Sequence, residues 1–140
     1  RRVLFRSIQA VKENGLSSIS DLILSRWFGS GFAANHPDRC AMAKAILLQT
    51  SDAGYVAACQ ALAGADLTAY ASSIQVPTLC IAGSHDQATP THIVSAMADL
   101  IPQSECFELP GVGHIPCLEA EKEFTQTILN FLSKYEEGDS

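Results

Sequence analysis

Apolar residues in the first half of the chain recur at three- and four-residue spacing, whereas in the second half they gather into short continuous runs. The first pattern predicts helices over 8–14, 17–28, 38–49 and 52–64, broken by Gly15, by the stretch GSGFAANHP, and by Gly54 and Gly64. Ser20 or Asp21 suits a helix start, and Pro37 suits the first turn of the third helix, where a missing N–H costs nothing. Ala41, Ala45, Leu48 and the segment AGYVAACQALAGA set small side chains at helical spacing, which allows close helix packing.

The pattern changes at Pro77. VPTLCIAG is a short apolar and β-branched run ended by Gly83, which predicts a strand at 76–82 buried on both faces. Thr89 and Pro90 read as the N-cap and first residue of a helix that carries Ile93, Met97 and Leu100 on one face and stops at Pro102. ECFEL predicts a second strand at 105–109. After GVGHIP, a last helix is expected over about 119–134, with Phe124, Ile128, Phe131 and Leu132 facing inward. Helices followed by strand, helix, strand, helix form the tail of an α/β domain preceded by a helical insertion.

Composition narrows the class. The 140 residues are 47% hydrophobic and 17% charged with a net charge of −6, which argues against a nucleic-acid or anionic-membrane partner. No apolar run approaches the roughly 20 residues that span a bilayer, and no charged-then-apolar leader is visible, so a soluble protein is expected, and the cysteine usage points to a reducing, cytoplasmic home. Cys40, Cys59, Cys80, Cys106 and Cys117 are odd in number and include no C-x-x-C pair, which disfavours a disulfide framework and a zinc ribbon. Cys80, inside VPTLCIAG, reads as a buried small hydrophobe.

The opening RRVLFRS resembles the in-frame translation of a common sequencing adapter, so residues 1–7 are expected to be an artefact and authentic sequence to start near Ile8. The alternative is the basic start of a real helix with Val3, Leu4, Ile8 and Val11 on one apolar face.

Chemistry concentrates at two positions. Asp86 follows the first predicted strand in GSHD, and His114 follows the second in GVGHIP, both at the strand ends where reactive groups gather in open α/β sheets. A carboxylate there can fix one imidazole tautomer and stabilise its cation, leaving the other ring nitrogen to take a proton from a nucleophile. The alternative is structural: Asp86 as a loop cap, His114 as a satisfied histidine. His36, His85 and His92 read as loop or surface residues, and the histidines lack the spacing of a zinc site. No G-x-S-x-G elbow occurs in the chain, and Gly29-Ser30-Gly31 lies between helices with the wrong spacing.

VPTLCIAGSHDQATP followed by the GHIP histidine resembles the C-terminal end of an α/β-hydrolase. LSRWF, Phe32, Pro37 and GYVAACQALAGADL are similar to the lid and following helix of 3-oxoadipate enol-lactonases, and the resemblance covers residues 8–134. It implies an α/β-hydrolase fold, C-terminal part only, with a helical lid over 8–50 and core over 51–140. It further implies a parent enzyme that hydrolyses 3-oxoadipate enol-lactone to 3-oxoadipate by a Ser-His-Asp mechanism in the β-ketoadipate pathway of aromatic catabolism. Asp86 and His114 would be catalytic, and Arg26 and Trp27 would bind the small anionic lactone. No cofactor or metal is implied.

The fragment, lacking nucleophile and oxyanion hole, is expected to be inactive alone. With two strands only, it is also expected to be aggregation-prone or partly ordered. The alternatives are another α/β-hydrolase (a carboxylesterase, a carbon-carbon bond hydrolase or a cofactor-free peroxidase-like enzyme) or a non-catalytic interaction module.

Overall fold

A computed structural model describes residues 2–136. Its elements run α1 (Arg2–Asn14), a 3₁₀ turn (Leu16–Ile19), α2 (Ser20–Trp27), α3 (Phe32–Asn35), α4 (Pro37–Leu47), α5 (Asp52–Gly64), α6 (Thr68–Ala71), β1 (Thr78–Gly83), α7 (Thr91–Ala98), β2 (Ser104–Leu109), α8 (Pro116–Glu119) and α9 (Glu121–Glu136). They fall into two units. One comprises the residues up to Ser25 with Ala33–Leu67, the other Arg26–Phe32 with the chain from Thr68 onward.

In the first unit α1 packs along α5. The buried positions are Ile8 and Val11 on α1 and Val56, Cys59 and Ala63 on α5, each set a turn or two apart on one helical stripe. The helix includes the described residues of RRVLFRS, but Val3 and Phe5 stay 51% and 61% exposed; Arg1 lies outside the described residues. Gly15 takes a φ of 78°, so the chain turns sharply out of α1. The Leu16 N–H then donates to Asp52 Oδ1 at 2.8 Å, tying that turn to the start of α5. Ser51 caps α5 by accepting from the Gly54 N–H at 3.1 Å. The helix expected over 17–28 is divided into the 3₁₀ turn and α2, while Pro37 does open α4.

In the second unit β1 and β2 are parallel, in register from Thr78 opposite Ser104 to Gly83 opposite Leu109, with Cys80 opposite Cys106. The core under this sheet is Ala71, Cys80, Ala98 and Ile101, with Ile74 and Val94 packed against it. Two expectations are corrected here, the N-cap of α7 and the inward placing of Leu132 on α9. The helix begins at Thr91 with Pro90 as its N-cap, because the Thr89 hydroxyl is engaged by Asp86. Val94, Ala98 and Ile101 face the sheet, and Ile93, Met97 and Leu100 remain 53%, 47% and 42% exposed. This segment carries two adjacent apolar stripes, only one of which can meet the sheet; the stripe with the small Ala98 permits the closer approach. On α9, Phe124, Ile128 and Phe131 are half-buried but Leu132 is 46% exposed, one residue beyond the inward face.

The strands are covered unequally. Cys80, Ala82 and Gly83 of β1 are buried, whereas Leu79 and Ile81 are half-buried, so the expected burial on both faces is incomplete. On β2 only Leu109 is buried. Among the described residues each strand has a single hydrogen-bonded neighbour.

Candidate active site

The ends of β1 and β2 are tied together by main-chain bonds that bring their following loops side by side. Ser84 N–H donates to Leu109 O at 3.0 Å and His85 N–H to Val112 O at 2.8 Å. The Gly111 N–H returns a bond to Ser84 Oγ at 2.7 Å. Asp86 emerges from the first loop and His114 from the second, 28 residues apart in sequence, with His114 Nδ1 and Asp86 Oδ2 at 2.8 Å.

Asp86 is held from several sides. Oδ1 accepts the backbone N–H groups of Ala88 at 2.7 Å and Thr89 at 3.0 Å, an Asx-type turn that fixes the carboxylate plane. Oδ2 accepts the Thr89 hydroxyl at 2.7 Å as well as the imidazole. Burial pushes this carboxyl up, but the bonds from His114, Thr89 and Ala88 together outweigh it and hold it below its usual value. Its side chain is 5% exposed and that of His114 36%, so the acid is enclosed and the imidazole is open on one side.

With Nδ1–H directed at the carboxylate, Nε2 is the nitrogen left to exchange a proton. The Thr89 hydroxyl also lies 3.3 Å from Nδ1, so it spans both partners. The sequence reading spent Thr89 on helix capping and missed this role. An Asp followed three residues later by a hydroxyl was the available signal.

The structure brings Trp27 to the same place. The His114 N–H donates to Trp27 O at 2.5 Å, and the two rings lie 6.4 Å apart between centroids at 30°. Arg26, one position earlier in the last turn of α2, is half-buried, and no carboxylate pairs with its guanidinium among the described residues. Adjacent helical positions diverge by about 100°, so Arg26 and Trp27 leave the helix in different directions.

His85 is exposed, with Nδ1 3.4 Å from Ser30 Oγ; His92 and His36 are also exposed. Among the described residues no group of three or more His, Cys, Asp or Glu side chains converges as a metal site, and no helix is long and apolar enough to cross a membrane. A cavity of about 220 Å³ between β2 and α9 contains neither Asp86 nor His114 and takes no part in this arrangement.

Comparison with known proteins identifies the family. Residues 17–121 match the family described as alpha/beta hydrolase fold. The chain is 33% identical over 124 residues to 3-oxoadipate enol-lactonase 1 of Acinetobacter baylyi, covering 89% of this chain and 46% of that protein. With 3-oxoadipate enol-lactonase 2 of the same organism it is 30% identical over 127 residues, covering 91% of this chain and 47% of that protein.

Among solved structures, the enol-lactonase from Burkholderia xenovorans LB400 superposes with a TM-score of 0.90 at 30% identity, covering 94% of this chain and 50% of that one. A thermophilic esterase from Thermogutta terrifontis gives 0.84 at 28% identity, covering 95% and 49%. The chain therefore spans about half the length of the curated relatives it matches.

Proposed function

The chain belongs to the alpha/beta hydrolase fold family, and from that membership we propose that its residues supply the acid and the base of a serine hydrolase that opens 3-oxoadipate enol-lactone. The observation that carries the reading is the 2.8 Å contact between Asp86 Oδ2 and His114 Nδ1, in a chain similar to enol-lactonases. In this reading His114 Nε2 takes the proton of a serine that attacks the lactone carbonyl. The ring opens with the enolate oxygen leaving, and water activated by the same nitrogen releases 3-oxoadipate from the acyl-enzyme.

Asp86 stabilises the imidazolium throughout, and Thr89 keeps the carboxylate turned toward it. Trp27 provides an apolar wall beside the base, and Arg26 a planar pair of donors for the free carboxylate of the lactone. Residues 8–50 form the lid in this reading.

No G-x-S-x-G elbow occurs among the 140 residues, so the serine and the oxyanion donors come from sequence outside them. The test is to recover the upstream reading frame, express the completed protein and assay 3-oxoadipate enol-lactone. Turnover abolished by His114→Ala, with none from the 140 residues alone, is the expected result. Cleavage of simple esters with no action on the lactone would favour the second reading, a carboxylesterase, for which the likeness to the thermophilic esterase speaks. A completed protein inert to both would leave an interaction module.

A further inference from the structure

Glu119 lies outside the Asp86–His114 pair, yet its two carboxylate oxygens are divided between the segments that carry the site. Oε2 accepts the Gly29 N–H at 2.8 Å, and Oε1 accepts the Gly113 N–H at 2.9 Å. Gly113 immediately precedes His114, and Gly29 follows Trp27 by two residues. The same segments are joined again by the bond from His114 N–H to Trp27 O.

Neither glycine has room for a side chain. A Cβ on Gly113 would stand 2.2 Å from Trp27 O and 2.6 Å from Glu119 Oε1. One on Gly29 would stand 2.5 Å from Gly111 O and 3.0 Å from Glu119 Oε2. The close approach of the two segments and the carboxylate between them are thus one arrangement.

A carboxylate suits this position for a reason of chemistry. Two backbone donors from different loops converge on it, and only a group with two acceptor oxygens meets both. A glutamine presents one acceptor and turns its NH₂ against the other donor. The carboxylate is also retained against a cost: burial pushes the Glu119 carboxyl up even though Gly29, Gly113 and His85 favour its ionised form, and Asp86 adds to the rise.

We infer that Glu119 is a positioning residue, a two-ended tether that sets the spacing between the His114 imidazole and the Trp27 indole. The inference rests on the proposed function in taking His114 as base and Trp27 as substrate wall; the tether itself stands on the two amide contacts.

The chain has a single tryptophan, so its emission reports on this site alone. A protonated imidazole close to an indole quenches that emission, and the amplitude of acid quenching measures how close Trp27 and His114 are held. His85→Gln in the background removes the other nearby imidazole from the signal.

In the ¹⁵N-labelled chain, the Gly29 and Gly113 amide protons are expected to shift downfield together with a single midpoint as the shared carboxylate ionises. Asp86→Asn is expected to leave that joint titration in place. Glu119→Gln is expected to abolish it and to lose most of the Trp27 quenching, while His114 keeps the Nδ1-protonated tautomer that Asp86 enforces.

Separate midpoints for the two glycines in the unaltered chain, or no titration of either, would overturn the tether, and this measurement holds even if the Gln variant does not fold. Full quenching retained in a folded Glu119→Gln chain would overturn it too. Absence of the Nδ1-protonated tautomer in the unaltered chain would instead count against the proposed function, with a persisting joint titration still supporting the tether.

Discussion

Gly83, the last residue of β1, is packed so closely under Gly113 that a Cβ on it would lie 2.2 Å from the Gly113 carbonyl oxygen. The Val112 carbonyl oxygen would be 2.3 Å away, so main chain rather than a movable side chain forms the obstacle. Gly83→Ala is therefore expected to push the loop bearing His114 off the loop bearing Asp86. The cost, by analogy with overpacked cores, is about 1–3 kcal/mol, read as a lower denaturant midpoint. Loss of the single His114 tautomer in the ¹⁵N spectrum should accompany it, and an unchanged midpoint with an unchanged tautomer would show that the loops can part freely.

Thr89 gives a narrower probe of the same pair. Thr89→Val preserves shape but removes the hydroxyl that donates to Asp86 Oδ2, leaving an enclosed carboxylate one bond short. A destabilisation of about 1–3 kcal/mol is expected from losing a bond to a charged group, with Thr89→Ser close to the original. Chemical denaturation of the three proteins side by side checks this, and equal midpoints for Val and Thr would remove the hydroxyl from the account.

The two carboxylates of the site should shape acid stability in opposite senses. Asp86 is held below its usual 3.8, so its contribution is complete above that pH and is lost as pH falls through the lower folded value. Glu119 is raised above its usual 4.5, so its protonated form contributes fully below that pH, and the contribution is lost as pH rises through the raised value. Melting temperature followed across the acid range should rise slightly as Glu119 protonates and then fall as Asp86 does. Asp86→Asn should flatten the fall and Glu119→Gln the rise; the reverse assignment would contradict both shifts.

The exposed stripe of Ile93, Met97 and Leu100, together with strands that each have one neighbour, predicts self-association. Sedimentation of the chain at increasing concentration should show growing species, and Met97→Lys should reduce them. A monomer with a sharp, concentration-independent melt would contradict the expectation.

Legibility from sequence followed the range of the interactions. Both strands, α5 and the loop positions of Asp86 and His114 were readable, because each depends on a local run of residues and its punctuation. Which of two apolar stripes on α7 faces the sheet was not readable, since that depends on whether Ala98 or the bulkier Met97 is presented to β1. Leu132 failed for the same reason, one position past the inward face of α9. Glu119 was missed because its partners lie 6 and 90 residues away, and a carboxylate meeting backbone amides leaves no periodic trace. Trp27 was singled out as a substrate residue through resemblance, but its main-chain bond to His114 is a property of the folded loops alone.

The register that sets Cys80 opposite Cys106 equips the sheet with its own recorder. The Cys80 residue is 5% exposed, while Cys106 is open to solvent. Burial raises both thiols, Cys80 further through Cys106, and Cys106 further through Asp99 and Glu108. Few thiolates are thus present at neutral pH, and labelling is slow enough to follow. An alkylating reagent will mark Cys106 on the intact sheet, whereas each mark on Cys80 registers a moment when its cover lifted. The ratio of the two labels follows the opening events, read from two cysteines the chain already carries.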